Sequence, residues 1–289
     1  MTELQIYDVR FCPGDSAFLI DDGNTAILYD TGFGFSGYNI ADNIKRILGE
    51  RKLDFIFLTH SHYDHALGSA YISERFPEAK IVAGEYAAKV FPRAGAQAVM
   101  RELDSKVASA YGVTDYEFKA DRLRADITVS DNDTIKCGNM SFRVLNLPGH
   151  TRCSVAFYCE ERKLLLSCET LGVYNGEETI IPSILVGYGD AVKSIERVEK
   201  LIINNILAPH YGLLNEEKTA YFLANMKRET VKAAGFIAER LKRDMSDKEI
   251  IDEYISTYRS SFTEKAYPKA AAELNTSIMI ELIRKEFNL

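Results

Sequence analysis

Short apolar runs separated by turn residues open the chain and predict strands over 4–9, 16–20 and 25–30, with turns at Pro13-Gly14 and Asp22-Gly23. The spacing then lengthens: Ile40, Ile44, Ile47 and Leu48 share one face of a helix over 38–49. Phe55-Ile56-Phe57-Leu58 is continuous, short and rich in β-formers, which predicts a strand over 54–59 buried on both faces. A helix follows, running from Asp64 through Ala70 and Tyr71 to Pro77, and then a strand over 80–83. From Gly84 to about Gly112 the pattern is helical and alanine-rich, an excursion between strands that either covers a site or packs plainly.

Strands over 126–129, 133–137, 141–147, 154–159 and 163–167 come next, with turns at Asp131-Asn132, Cys137-Gly138-Asn139 and 160–163. Val192, Ile195, Val198 and Leu201 mark a helix over 190–204, and Ile206-Leu207-Ala208 a strand. Strands interleaved with helices in both halves predict an α/β fold of two packed sheets with helices outside, and no internal repeat relates the halves. After residue 215 the character changes. A long helix over 216–244 carries Leu223, Met226, Thr230, Ala233, Ile237 and Leu241 as a stripe. Ser246-Asp247-Lys248-Glu249 is a capping box, with Ile250, Ile251, Tyr254 and Tyr258 facing inward behind it. Pro268 opens a last helix through Phe287. Residues 1–214 therefore read as a core and 215–289 as a helical extension that stabilises it, pairs subunits as a homodimer, or covers a substrate.

Composition narrows the class. A net charge of −7 over 289 residues argues against a nucleic-acid partner. No run of about 18 apolar residues is present to span a membrane, and the opening MTELQIYDVRF lacks the basic and apolar regions of a signal peptide. Cys12, Cys137, Cys153, Cys159 and Cys168 show no CxxC spacing and are odd in number, which fits reduced thiols in a cytoplasmic protein.

The chemistry starts where the 54–59 strand stops. His60, His62, Asp64 and His65 follow its last apolar residue, and the two-residue spacing of His60 and His62 points both to one side of extended backbone. The chain holds only 5 histidines. The other two, His150 in Leu147-Pro148-Gly149-His150 and His210 in Leu207-Ala208-Pro209-His210, also sit just past apolar runs. Composition alone produces an HxHxDH match in on the order of one in ten thousand such chains. Imidazole and carboxylate at strand ends indicate a metal centre suited to zinc, iron or manganese. Asp30, in Tyr29-Asp30-Thr31-Gly32, is either a turn residue or a carboxylate that orients a ligand histidine.

His-x-His-x-Asp-His with two later histidines resembles the metallo-β-lactamase-fold hydrolases, and Asp30-Thr31-Gly32 and Pro148-Gly149-His150 match the same pattern, over roughly 5–212. The resemblance implies a four-layer αβ/βα sandwich with a dinuclear metal site. His60, His62 and His150 would hold one divalent ion and Asp64, His65 and His210 the other, with zinc the first choice and iron or manganese the alternatives. Where the family has a bridging aspartate, this chain has Glu169, one methylene longer, which either bridges or binds one ion. Cys168 is the neighbouring candidate, but adjacent strand residues face opposite ways.

The implied reaction is attack by metal-activated water, with Asp64 and Glu169 as catalytic carboxylates and Asp64 taking the proton. Tyr174, Tyr188 and Tyr211 are candidate oxyanion donors. A helical tail is similar to that of the glyoxalase II type and, loosely, of the quinolone-signal response protein, so a small-molecule ester, thioester or lactone is the expected substrate. The alternatives are a phosphodiesterase, or a metal-retaining regulatory protein acting through partners.

Overall fold

The structure, a computed structural model, describes residues 4–176 and 179–289. The chain divides into two compact units, Met1–Asn146 with Val155–Glu161, and Leu147–Ser154 with Arg162–Leu289. No helix among the described residues is long and apolar enough to cross a membrane.

The first unit is built on a six-stranded mixed sheet: β1 (Gln5–Asp8), β2 (Phe18–Asp21), β3 (Ala26–Tyr29), β4 (Phe55–Leu58), β5 (Lys80–Gly84) and β6 (Ile127–Val129), in that spatial order. The first three strands pair antiparallel through hairpins, and β3 to β6 pair parallel. The helix α1 (Gly37–Leu48) returns the chain from β3 to β4 and buries Ile40, Ile44 and Leu48. A second, antiparallel run of β7 (Thr134–Cys137), β8 (Met140–Asn146) and β9 (Val155–Cys159) packs on the first sheet. Phe57 of β4 meets Phe157 at 4.5 Å and Phe142 edge-on at 5.3 Å. Each such ring pair contributes about 1 kcal/mol beyond area burial, so the apolar run of β4 pins the two layers together.

The expected single helix after the histidine cluster is two: α2 (Tyr63–Ala66) and α3 (Ser69–Arg75). The cause is competition for a carbonyl. The oxygen of His65, which a continuous helix would use four residues on, instead accepts from Thr31 N at 2.8 Å and Thr31 Oγ1 at 2.6 Å. The excursion after β5 forms α4 (Glu85–Val90) and α5 (Ala94–Ala110), and α5 packs against α2.

In the second unit β10 (Leu164–Leu166) and β13 (Asn205–Ala208) pair parallel, and β14 (Gly212–Leu214) pairs antiparallel with β13. A small β11 (Val173–Tyr174) and β12 (Ile180–Ile181) ribbon lies between them in the chain. The helix α6 runs Tyr188–Val198, shorter than the periodicity predicts, since Ile202 is exposed and the segment turns toward β13. The helices α7 (Glu216–Leu241), α8 (Asp247–Thr257), α9 (Ser261–Ala266) and α10 (Lys269–Glu286) complete the unit. The buried stripe of α7 runs through Phe222, Met226, Thr230, Ala233 and Ile237, with Phe222 rather than Leu223 at its start. Ser246 and Glu249 form the capping box in both directions.

Candidate metal centre

The first unit contributes four of the expected ligand residues from one strand end. The parallel strands β3 and β4 finish side by side, and Asp30 N donates to Phe57 O at 2.8 Å, so the turn after β3 lies against the loop after β4. Asp30 is fully buried and its carboxylate gathers that loop. It accepts from Thr59 N at 2.8 Å, from Ser16 Oγ at 3.1 Å and from Thr59 Oγ1 at 3.0 Å, and it lies 2.8 Å from His65 Nδ1. Since the Thr59 hydroxyl donates to Asp30, its oxygen is left to accept from His60 Nδ1, 3.0 Å away. One carboxylate thus orients two imidazoles, His65 directly and His60 through a hydroxyl. Both rings carry the proton on Nδ1 and present Nε2 as the donor atom, the arrangement that metal-binding histidines use. The rings of His60 and His65 lie 4.1 Å apart and those of His60 and His62 4.6 Å. Asp64 Oδ2 stands 3.8 Å from His65 Nε2.

Gly68 lets this loop close. A Cβ there would lie 1.9 Å from Thr31 O, inside the backbone itself. Gly32, at φ +67°, has Asp15 Oδ1 2.3 Å from where its Cβ would be, because that carboxylate accepts from Phe33 N at 2.9 Å and Ser36 Oγ at 2.7 Å. Burial raises the Asp15 pKa, and these donors oppose the rise. Tyr63, between His62 and Asp64, packs into an aromatic cluster with Phe33 (5.6 Å), Phe35 and Val107. The excursion thereby reaches the loop through α5.

The second unit carries His150, Glu169 and His210. The register of β10 on β13 sets Leu166 opposite Leu207, and Ser167 N donates to Leu207 O at 3.0 Å. Glu169 and His210 each stand three residues past that pair, so parallel pairing brings them together. Glu169 Oε1 lies 3.4 Å from His210 Nε2, and its other oxygen, Oε2, lies 2.7 Å from His150 Nε2. The glutamate therefore straddles the two histidines, one oxygen to each. His150 Nδ1 lies 3.0 Å from the carbonyl oxygen of Ser183, which can only accept, so this ring too presents Nε2. Its backbone N donates to Thr170 Oγ1 at 3.2 Å. His210 takes φ +61°, in a tight turn where Tyr211 N donates to Pro209 O at 2.7 Å.

Cys168 is buried beside Glu169. Among the tyrosines, Tyr188 packs edge-on against Phe287 at 5.4 Å, and Tyr211 accepts from Lys218 Nζ at 2.7 Å. Tyr174 is fully buried with its hydroxyl unpartnered among the described residues. Thr59 and Ser183 were missed in sequence. Thr59 could have been found as the residue between an apolar strand and the first histidine, whereas Ser183 carries no local signal.

Over 223 residues the chain is 24% identical to the human acyl-coenzyme A thioesterase MBLAC2, covering 72% of this chain and 77% of that one. The bovine protein of that name is 27% identical over 174 residues, 58% of this chain and 59% of that one. A hydroxyacylglutathione hydrolase of Photorhabdus laumondii is 30% identical over 105 residues, 36% of this chain and 29% of that one. The chain thus spans less than two thirds of the length of two of these three relatives, the bovine and the Photorhabdus proteins. Among solved structures, a metallo-beta-lactamase family protein from Thermus thermophilus superposes with a TM-score of 0.63 at 19% identity, covering 94% of this chain and 88% of that one. The sec-alkylsulfatase Pisa1 from Pseudomonas sp. does so at 0.62 and 13% identity, covering 96% of this chain and 50% of that one. The likeness to both is one of fold. Residues 12–210, more than half the chain, match the family model of the metallo-beta-lactamase superfamily, and the chain belongs to that superfamily.

Proposed function

We propose that this chain is a metal-dependent hydrolase of a small-molecule thioester, ester or lactone. The observation that carries the reading is Glu169, whose two carboxylate oxygens address His150 and His210 separately. In this reading the superfamily's ligand pattern puts His60, His62 and His150 on one divalent ion and Asp64, His65 and His210 on a second, with Glu169 bridging the two or binding one. The donor set of imidazoles and carboxylates, three of the rings held with Nε2 outward, fits zinc, with iron or manganese as alternatives. Divalent ions bound there would supply nucleophilic water at neutral pH and polarise the scissile carbonyl.

The protein's own contribution is orientation and proton transfer. Glu169 spans the distance between two imidazoles, which the family's shorter aspartate would do with one methylene less. Asp64, partly exposed, is the carboxylate that receives the proton from the attacking water. Asp30 keeps His65 and His60 in one tautomer and one orientation throughout. The thioester class is supported by relatives named for acyl-coenzyme A and hydroxyacylglutathione hydrolysis.

The test is elemental analysis of protein purified without chelator, followed by a panel of thioester, lactone and phosphodiester substrates. The expected outcome is one to two equivalents of a transition metal and turnover of thioesters or lactones, with metal content lowered and turnover lost in His62→Ala. Turnover of bis-p-nitrophenyl phosphate alone would replace the reading with a phosphodiesterase. Protein that takes up no metal would end it.

A further inference from the structure

A half-open cavity of about 520 Å³ in the second unit is lined by α8, α9, α10 and the 181–183 segment. That volume lies in the range of small-molecule sites. One side of it is aromatic and soft, with Tyr254 and Tyr258 at 4.8 Å between ring centroids beside Tyr267 and Met279, and the rest carries polar side chains such as Thr263, Asn275 and Thr276. Flat rings beside a thioether favour an aromatic occupant. Burial raises the pKa of both Tyr254 and Tyr258, so their hydroxyls stay neutral. The charges at the rim cancel. Arg259 pairs with Glu264 at 2.5 Å, Asp252 with Lys248 at 2.5 Å and Lys269 with Glu273 at 3.6 Å, which leaves no excess of either sign to select an ion.

One wall of the cavity is also the seat of a proposed metal ligand. Ser183 lines the cavity, and its carbonyl and hydroxyl oxygens each lie 3.0 Å from His150 Nδ1. Next to it, Pro182 O accepts from Tyr254 Oη at 3.0 Å. Anything that displaces the Tyr254 ring therefore moves the backbone on which His150 is oriented.

We propose that this cavity is a binding site for an uncharged aromatic molecule, and that its occupancy is felt at His150 through the Pro182-Ser183 segment. The molecule is either a separate effector or the aromatic acyl part of a substrate. Binding stands independently of the proposed function; the coupling rests on that reading of His150.

The experiment uses the full chain and the neutral fluorescent probe N-phenyl-1-naphthylamine. Titration of metal-stripped protein is expected to give saturable fluorescence enhancement, weakened at least tenfold in Ala272→Trp, which fills the cavity from α10. No saturable enhancement, or equal enhancement in an Ala272→Trp variant with wild-type circular dichroism, would overturn the site. Should that variant not fold, amide shifts of the wild-type chain decide: perturbations at 181–183 and 252–279 support the site, and perturbations elsewhere overturn it. With zinc-loaded protein turning over a thioester, a rise in KM alone identifies the substrate's acyl group as the natural occupant, and a fall in kcat a separate effector. Saturating probe with no effect on either would overturn the coupling.

Discussion

Asp30 concentrates more of the candidate site's geometry than any ligand does. It sits at φ +52°, in the left-handed region that residues other than glycine seldom adopt, as does His210 at +61°. Each conformation costs on the order of 1 kcal/mol and persists only where the surroundings hold it. For Asp30 the holding groups are Thr59, Ser16 and His65, all within 3.1 Å of its carboxylate. Asp30→Asn keeps the size but places an amide where two donors need an acceptor. Loss of a carboxylate that orients a ligand typically weakens metal affinity about 10- to 100-fold, and zinc competition against a chromophoric chelator should show it. Unchanged affinity would mean that His65 and His60 hold their orientation without it. The aspartate could be named from its place in a strand-end turn. That it serves two histidines could not, since the second connection runs through Thr59, whose role depends on which way its hydroxyl points.

Among the elements, the break between α2 and α3 is the most instructive. A sequence pattern records which side chains prefer a helix but not which carbonyl another strand's turn will take. Here Thr31 takes that of His65, and Gly68 N turns to Gly32 O at 3.2 Å. Gly68→Ala puts a methyl against Thr31 O and should cost about 3 kcal/mol or more, as overpacking against backbone does, read as a lowered urea midpoint at unchanged m. A milder change at α8 gives contrast: Ser246→Ala removes one side of its capping box and should cost about 1 kcal/mol.

For the whole molecule, stability should depend on metal and on pH in separable ways. An ion present at 100 times its dissociation constant adds about 2.7 kcal/mol, so EDTA-treated protein should melt several degrees lower and recover with zinc. Equal melting temperatures would count against a bound ion. The pH effect comes from Asp104 of α5. Desolvation raises its pKa to about 6, although it accepts from the Tyr116 hydroxyl and from Gly34 N at 2.9 Å. A carboxylate whose folded pKa lies above its unfolded one favours the folded state when protonated. That contribution is complete below about pH 4 and is lost as pH rises through about 6. Metal-stripped wild type should therefore lose stability between these values relative to Asp104→Asn, followed by urea unfolding at each pH. Parallel profiles would place the Asp104 pKa near its ordinary value.

The sequence by itself determined the candidate ligand residues and their positions at strand ends, because an apolar run that stops at a histidine is a one-dimensional pattern. It also determined most of the longer strands and helices, for the same reason: periodicity is local, whereas the short β11, β12, β14 and α9 and the break between α2 and α3 carry no such pattern. Only the tertiary structure decided that Glu169 reaches both His150 and His210, since that follows from the parallel register of β10 on β13, two strands far apart in the chain. It alone decided that Ser183 seats His150 and that a cavity lies behind it. Hydrogen bonds between distant backbone groups and space left between packed helices depend on where segments meet, and no stretch of sequence read alone records that.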